Sequence, residues 1–193
     1  RIHTSSALMS WAACDRLAKI AARVDLPERA RYWGDRAKEI GDRILTEAWN
    51  EQRQAYAESF GGCDLDASVL LMCEVGFIAP RDPRFISTVA ALEASLCDGP
   101  FMRRYEAPDD FGRPETAFNV CTFWLIEALH LAGRSDEARA LFVENITDRR
   151  SIERIAQDTG AQVGGTLYSD ALSQPGAGAD TYLVKPFSPL QLI

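Results

Sequence analysis

The chain has 193 residues, of which 47% are hydrophobic and 25% are charged, a mixture usual for a globular domain, and this excludes disorder over the whole chain. Lysine and arginine number 21 against 28 aspartate and glutamate residues, and the net charge of −7 argues against nucleic-acid binding. No apolar run approaches the roughly 20 residues that cross a bilayer, so we expect neither a membrane protein nor a membrane partner. The polar start shows no signal peptide and no initiator methionine, and we expect an excised or processed cytoplasmic piece.

The five cysteines are odd in number and widely spaced, and no pair has the spacing of a zinc site. Cys14, Cys73 and Cys121 stand among apolar residues of helical patterns, which predicts buried free thiols in a reducing compartment. The two histidines, His3 and His130, are far apart and form no local metal motif. The sequence therefore predicts no metal and no cofactor.

Helical patterns begin at the first residues. Residues 4–6 (Thr-Ser-Ser) are N-cap candidates for a first amphipathic helix. Pro27 suits the first turn of a second helix, which the apolar period predicts over residues 27–48. A loop rich in aromatic residues and glycine follows from Trp49, and we expect a short hairpin within it.

The helical pattern then returns twice. Asp64 or Asp66 can cap a short helix that ends near Gly76, and the Asp-Pro pair at 82–83 can start the next helix. A long loop from Asp98 to Pro114 leads to a third pair of helices.

The first helix of this third pair is predicted from Glu115 to about Ala132. It is apolar nearly all round, which predicts burial on most of its sides.

Three helical hairpins at a period of about fifty residues are typical of a repeat architecture, so the predicted fold class is mainly α. The long loops follow the second helix of each pair and should gather at one end of the array. Loops that carry tryptophan, tyrosine and arginine on a rigid helical scaffold make a candidate binding face. The pattern of the last fifty or so residues predicts a short tail that contains both helix and strand, an α/β tail.

Four stretches of the first 141 residues carry a resemblance to a known family: residues 2–12 (IHTSSALMSWA), residues 65–71 (LDASVLL), Arg104-Tyr105 and residues 114–124 (PETAFNVCTFW). In order and spacing they resemble glycoside hydrolase family fifteen, the bacterial glucoamylase and trehalase type. The resemblance implies part of an (α/α) toroid of helical hairpins. It also implies inverting hydrolysis of α-glucosidic bonds, in which one carboxylic acid protonates the leaving oxygen and one carboxylate activates water.

The resemblance matches Glu115 to the catalytic base, and a place at a helix N-terminus would favour its ionised form. His3 and Arg104 become candidate sugar contacts, and the rings of Trp11, Trp49 and Tyr105 become candidate stacking surfaces. For each of these five residues, helix packing or loop anchoring is the favoured alternative.

The family's general acid precedes the segment that matches residues 2–4. The sequence therefore predicts an incomplete α-glucosidase scaffold that binds an α-glucoside and is inactive alone.

The tail resembles two other families. Residues 142–178 resemble the C-terminal lobe of solute-binding proteins of zinc and manganese ABC transporters, where Asp170 matches a metal-ligating carboxylate. A single carboxylate does not hold a transition metal, so a capping or surface aspartate is favoured. Residues 179–193 resemble the end of a response-regulator receiver domain, where Lys185 matches the lysine that contacts the phosphoryl group.

This three-part pattern suggests a chimeric or artificial sequence. The alternative function is therefore a designed or chimeric helical-repeat scaffold with no ligand, and a metal-binding module at Asp170 ranks last. Part of a toroid would expose apolar faces built for neighbouring helices, so we expect self-association through those faces.

Overall fold

The computed structural model describes residues 1–110 and 112–146, with side chains as far as Phe142. The chain divides into two compact units, Arg1–Phe142 and Val143–Ile193, and the described side chains all belong to the first. The elements in chain order are α1 (Thr4–Arg23), α2 (Pro27–Glu47), β1 (Trp49–Asn50), β2 (Ala55–Tyr56), a 3-10 helix (Ala67–Leu70), α3 (Leu71–Glu74), α4 (Pro83–Leu96), β3 (Cys97–Asp98), β4 (Phe101–Met102), α5 (Asn119–Leu131) and α6 (Ser135–Ile146). The prediction of a mainly α fold built from helical hairpins is confirmed. The tail predictions, including Asp170 and Lys185, lie outside the described residues.

Helices α1 and α2 pack along each other as a hairpin. The chain reverses through Asp25, whose φ of 57° is in the left-handed region, and Pro27 occupies the first turn of α2. Gly41 of α2 faces the indole of Trp11, and a Cβ at this glycine would lie 3.3 Å from two of the ring atoms. The two helices can therefore approach this closely because residue 41 has no side chain.

Two short antiparallel hairpins interrupt the helices. β1 pairs with β2, as predicted for the loop after α2, and β3 pairs with β4 in a loop for which no hairpin was predicted. Asp66 caps the 3-10 helix and Asp82 caps α4, since each carboxylate accepts the backbone N–H two residues on, at 2.7 Å and 2.8 Å. Both caps were predicted.

Helix α5 begins four residues later than predicted. Phe118 is extended, with φ −119° and ψ 108°, and its N–H donates to the carbonyl of Met102 in β4 at 2.9 Å. The helix therefore starts at Asn119, because the preceding residue is bonded to a strand.

The prediction that this helix is buried on most of its sides agrees with the structure of α5. Cys121, Leu125 and Leu129 face the core, and the exposed residues of this helix are Asn119, Phe123 and His130. Gly133 follows the helix with φ 88°, in the left-handed region that glycine adopts freely, and α6 comes next.

A single apolar cluster draws side chains from all six helices and from the loops between them. The largest fully buried side chains are Tyr56, Phe85, Leu8, Ile44, Leu65, Met72, Leu92, Leu96 and Met102. No described helix is long and apolar enough to cross a membrane.

Three buried threonines tie helices to the strands and loops that connect them. Thr4 at the start of α1 donates its hydroxyl to the carbonyl of Ala57 at 2.7 Å. The hydroxyl of Thr88 in α4 accepts the N–H of Tyr56 at 3.1 Å. The hydroxyl of Thr122 in α5 accepts the N–H of Met102 at 3.0 Å.

The N-cap prediction for residues 4–6 is wrong for this reason. The N-cap is His3, which makes no side-chain capping bond, and the Thr4 hydroxyl is bonded to the loop instead.

Candidate functional site

Backbone hydrogen bonds join the segment before α1, the loop after β2 and the loop after β4 into one layer. His3 pairs with Ser59 and Asp66 pairs with Tyr105, both as antiparallel bridges. Between these two bridges, loop 58–64 is closed by its own backbone hydrogen bond of 2.9 Å. The long loops therefore gather at one end of the helices, as the sequence predicted.

Three of the predicted site residues lie on one closed loop. Arg104, Tyr105 and Glu115 all fall between β4 and α5, and the Phe118 N–H to Met102 carbonyl bond of 2.9 Å joins the two ends of this loop. The loop that bears these three residues is thereby closed at its two ends.

Arg104 is held from two sides. Its Cζ lies 5.2 Å from the ring centroid of Trp124 on α5, and its Nη2 lies 3.5 Å from Oδ1 of Asp66. The carbonyl of Arg104 also accepts the N–H of Ala67 at 2.8 Å. The Arg104 side chain keeps 29% of its surface exposed, so a fixed planar group of donors faces the loop layer and can donate to hydroxyl oxygens.

Cys121 lies next to this arginine on the buried side of α5. Burial raises the pKa of the thiol to about 11, and the nearby Arg104 guanidinium offsets only part of this effect. The thiol is therefore protonated at neutral pH. Cys121 serves as a packing residue under Arg104, as predicted, and is no candidate nucleophile.

Tyr105 is anchored by a carboxylate. Its hydroxyl donates to Oδ2 of Asp109 at 2.5 Å, and this bond to a carboxylate raises the pKa of the phenol. Asp109 in turn forms a tight turn with Gly112, whose φ is 100°. The Tyr105 ring is half-buried, so one of its sides can still contact a ligand.

Glu115 is exposed and precedes α5 by four residues. The expectation that its carboxylate sits at a helix N-terminus is wrong, because the backbone of Phe118 is bonded to β4 and delays the helix. Glu115 instead extends into solvent on the same loop as Arg104 and Tyr105.

The segment around His3 forms the other end of the layer. His3 is exposed at the start of α1. Arg1 beside it forms an ion pair with the largely buried Glu58 and donates through Nε to Oγ of Ser59 at 3.0 Å. Asp64 lies 3.9 Å from the same guanidinium.

Trp11 and Trp49 make packing contacts elsewhere. The Trp11 ring meets Phe77 edge-on at 4.9 Å between centroids. The Trp49 ring meets Tyr56 at 5.2 Å and lies under the guanidinium of Arg84, at 4.8 Å. These are the helix-packing contacts that the sequence offered as the alternative for both residues, and the structure does not bring them together with Arg104.

Two residues that sequence reasoning did not select complete the surroundings of Arg104. Asp66 was identified only as a helix cap, and Trp124 only as part of an apolar helix. The local sequence carried a signal for the cap alone. Within the described ranges, no group of three or more histidine, cysteine, aspartate or glutamate residues could hold a metal ion.

The fold is shared with solved glycosidases. A glycosidase variant in complex with glucose superposes with a TM-score of 0.66 at 20% identity, over 77% of this chain and 39% of that chain. The family follows from the sequence: the model of glycosyl hydrolases family 15 matches residues 1–184, and the chain belongs to this family.

Curated relatives include two trehalases. The enzyme of Thermoplasma acidophilum is 33% identical over 177 residues, which cover 89% of this chain and 30% of the relative. The enzyme of Mycobacterium tuberculosis is 37% identical over 141 residues, which cover 72% of this chain and 21% of the relative. The chain thus spans less than a third of the length of either relative.

The tail has a second, shorter similarity. A stretch of 49 residues, 25% of this chain, is 33% identical to a metal ABC transporter substrate-binding lipoprotein of Lactococcus lactis and covers 16% of it. The family 15 match, however, runs to residue 184 and crosses the boundaries that the tail resemblances place at 141 and 178. The three-part division stays a prediction.

Proposed function

We propose that this chain forms part of the sugar site of an inverting α-glucoside hydrolase. The observation that carries the proposal is the loop layer. It hydrogen-bonds residues 65–71 to Arg104-Tyr105 through the bridge of Asp66 to Tyr105, and residues 2–12 join the same layer through the bridge of His3 to Ser59. The fourth stretch, residues 114–124, closes the loop that bears Arg104. We infer that a ligand bound at this layer contacts residues from all four stretches.

In this proposal Glu115 is the base that activates water, His3 and Arg104 contact hydroxyl groups of the sugar, and the ring of Tyr105 is a stacking surface for it. Inversion also requires a carboxylic acid on the opposite face of the scissile bond. We assign no residue of the chain to that role, and expect the 193 residues to bind sugar without hydrolysing it. The trehalase names of both relatives support trehalose as the sugar to test.

The test is titration calorimetry of the 193-residue chain with trehalose, with cellobiose, whose glycosidic bond is β, as a non-ligand control and glucose release measured in parallel. We expect saturable trehalose binding that is weakened by Arg104→Gln, and no glucose release. The Glu115→Gln variant should still bind, because a base contributes to the reaction and not to the resting complex.

Two results would contradict the proposal. Glucose release by the chain alone would overturn the statement that the 193 residues do not hydrolyse sugar. Binding of no sugar by a chain that unfolds cooperatively would favour the helical scaffold without ligand.

A further inference from the structure

Asp66 carries more interactions than its capping role requires. Its Oδ1 accepts the N–H of Ser68 at 2.7 Å and the hydroxyl of Ser68 at 2.5 Å, and the same atom lies 3.5 Å from Nη2 of Arg104. The side chain is only 15% exposed. A charged group is therefore kept in a mostly enclosed place, where its lost hydration must be offset by partners.

Capping alone does not explain the charge. Asparagine and serine cap helices about as well as aspartate, because the cap needs only an oxygen that accepts the N–H. A second aspartate cap in the chain lacks the additional ion pair. Asp82 accepts the N–H of Arg84 at 2.8 Å, and the described residues provide it with no ion pair to an arginine.

The Asp66 carboxylate pairs with Arg104, a residue whose side chain and main chain are also held by other contacts. Trp124 covers one face of the Arg104 guanidinium, and the main chain of residue 104 is bonded to Ala67, the neighbour of Asp66. Without the carboxylate charge, the Arg104 guanidinium would still lie on the Trp124 ring. It would lose the ion pair that fixes how its N–H groups are turned on that ring.

We propose that Asp66 is a positioning residue: it holds the Arg104 guanidinium on the Trp124 ring in the orientation that binds the sugar. The proposal rests on the proposed function, because it assumes that Arg104 contacts the ligand. Asp66 itself touches no ligand in this scheme. It acts by removing rotational freedom from Arg104 before binding, which lowers the ordering cost of the complex.

The first measurement is trehalose affinity of four variants by calorimetry. Asp66→Asn keeps the capping oxygen and removes the charge, and we expect it to weaken binding about tenfold while the unfolding midpoint stays near that of the parent. Asp82→Asn, the matched control, should leave the affinity unchanged. Arg104→Gln should weaken binding at least as much as Asp66→Asn, and the double variant of residues 66 and 104 should be no weaker than Arg104→Gln alone. A further loss in the double variant, or full affinity in Asp66→Asn, would overturn the inference.

The second measurement needs no sugar. The Nε–H signal of Arg104 in a nitrogen-15 NMR spectrum, assigned by its loss in Arg104→Gln, should broaden or exchange faster with water in Asp66→Asn but not in Asp82→Asn. An unchanged signal in Asp66→Asn would overturn the inference even if trehalose binds. If the parent chain binds no trehalose while the signal still responds to Asp66→Asn, the proposed function fails and the hold of Asp66 on Arg104 stands.

Discussion

At the scale of single residues, burial separates four of the five thiols of this chain into two groups, and the fifth, Cys14, is half-buried rather than buried as predicted. Burial raises the pKa of Cys73, Cys97 and Cys121 to about 11 in each case, whereas Cys63 is exposed in the loop after β2. A thiol attacks disulfide reagents as its thiolate, so proton affinity disfavours the first three residues, and burial also blocks access to Cys73 and Cys121 and restricts access to the half-buried Cys97.

Ellman's reagent at pH 8 should therefore react with the native chain in two phases. We expect a fast phase that Cys63→Ser reduces, and a slow phase, limited by opening of the fold, that contains Cys73, Cys97 and Cys121. Urea should merge the phases, because unfolding restores both access and the ordinary pKa of a thiol. Fast labelling of Cys121, found by mass spectrometry of the native protein, would contradict the structure.

The residues that sequence reasoning identified correctly are those with local partners. The caps at Asp66 and Asp82 depend on a backbone N–H two residues away, so short-range rules are sufficient. Thr4 looked like a cap by the same rules, but its hydroxyl is bonded to Ala57 across the fold. The contacts of Arg104 with Asp66 and Trp124 were not predicted either, because they join residues distant in sequence and depend on how the loops are placed in the fold.

At the scale of elements, the helices and the loop layer are joined by buried hydroxyl groups. Thr122 in the first turn of α5 is 1% exposed and accepts the N–H of Met102 in β4. This bond and the Phe118 bond hold the start of α5 against β4. Any movement of α5 at this end therefore also moves the loop that bears Arg104.

We expect Thr122→Val to lower the free energy of unfolding by about 1–3 kcal/mol, since valine keeps the volume but leaves a buried N–H without an acceptor. Urea denaturation gives the value. Thr46→Val is the matched control, because the hydroxyl of Thr46 bonds to its own helix at an exposed position, and its change should stay within about 0.5 kcal/mol. Equal effects of the two substitutions would show that the buried bond does not stabilise the fold.

Apolar periodicity predicted where the helices lie, because helix burial repeats with the helical turn over many residues. The start of α5 was misplaced because it is set by a hydrogen bond to β4, a strand pair that the sequence did not indicate. The sequence also left open which side of this helix faces the core. An all-apolar helix gives no periodic signal of which side faces the core, and Phe123 lies on the side that does not.

At the scale of the whole molecule, one side of α1 carries an exposed apolar stripe. Met9, Leu17, Ile20 and Val24 are all between 40% and 58% exposed, and their spacing places them along one side of the helix. This stripe is the kind of face that the sequence predicted for part of a toroid. Surfaces of this composition favour association with another apolar surface.

Sedimentation velocity should therefore show concentration-dependent self-association of the chain. We expect the double substitution Leu17→Glu and Ile20→Glu to shift the population toward monomer without lowering the unfolding midpoint, because both side chains are exposed. Arg29→Glu on α2 changes the net charge by the same amount away from the stripe and serves as the control. A parent chain that stays monomeric at all concentrations would refute the expectation.

The closed loop between β4 and α5 also has a consequence for how this family can change. The bond between Phe118 and Met102 holds the two ends of the loop together. The residues between these ends can therefore be replaced or lengthened without separating the ends. Lengthening a closed loop costs little, about 0.6 kcal/mol for each doubling of its length. Insertions between Tyr105 and Glu115 are therefore expected to change the exposed surface of this loop, while the helices that support the loop keep their packing unaltered.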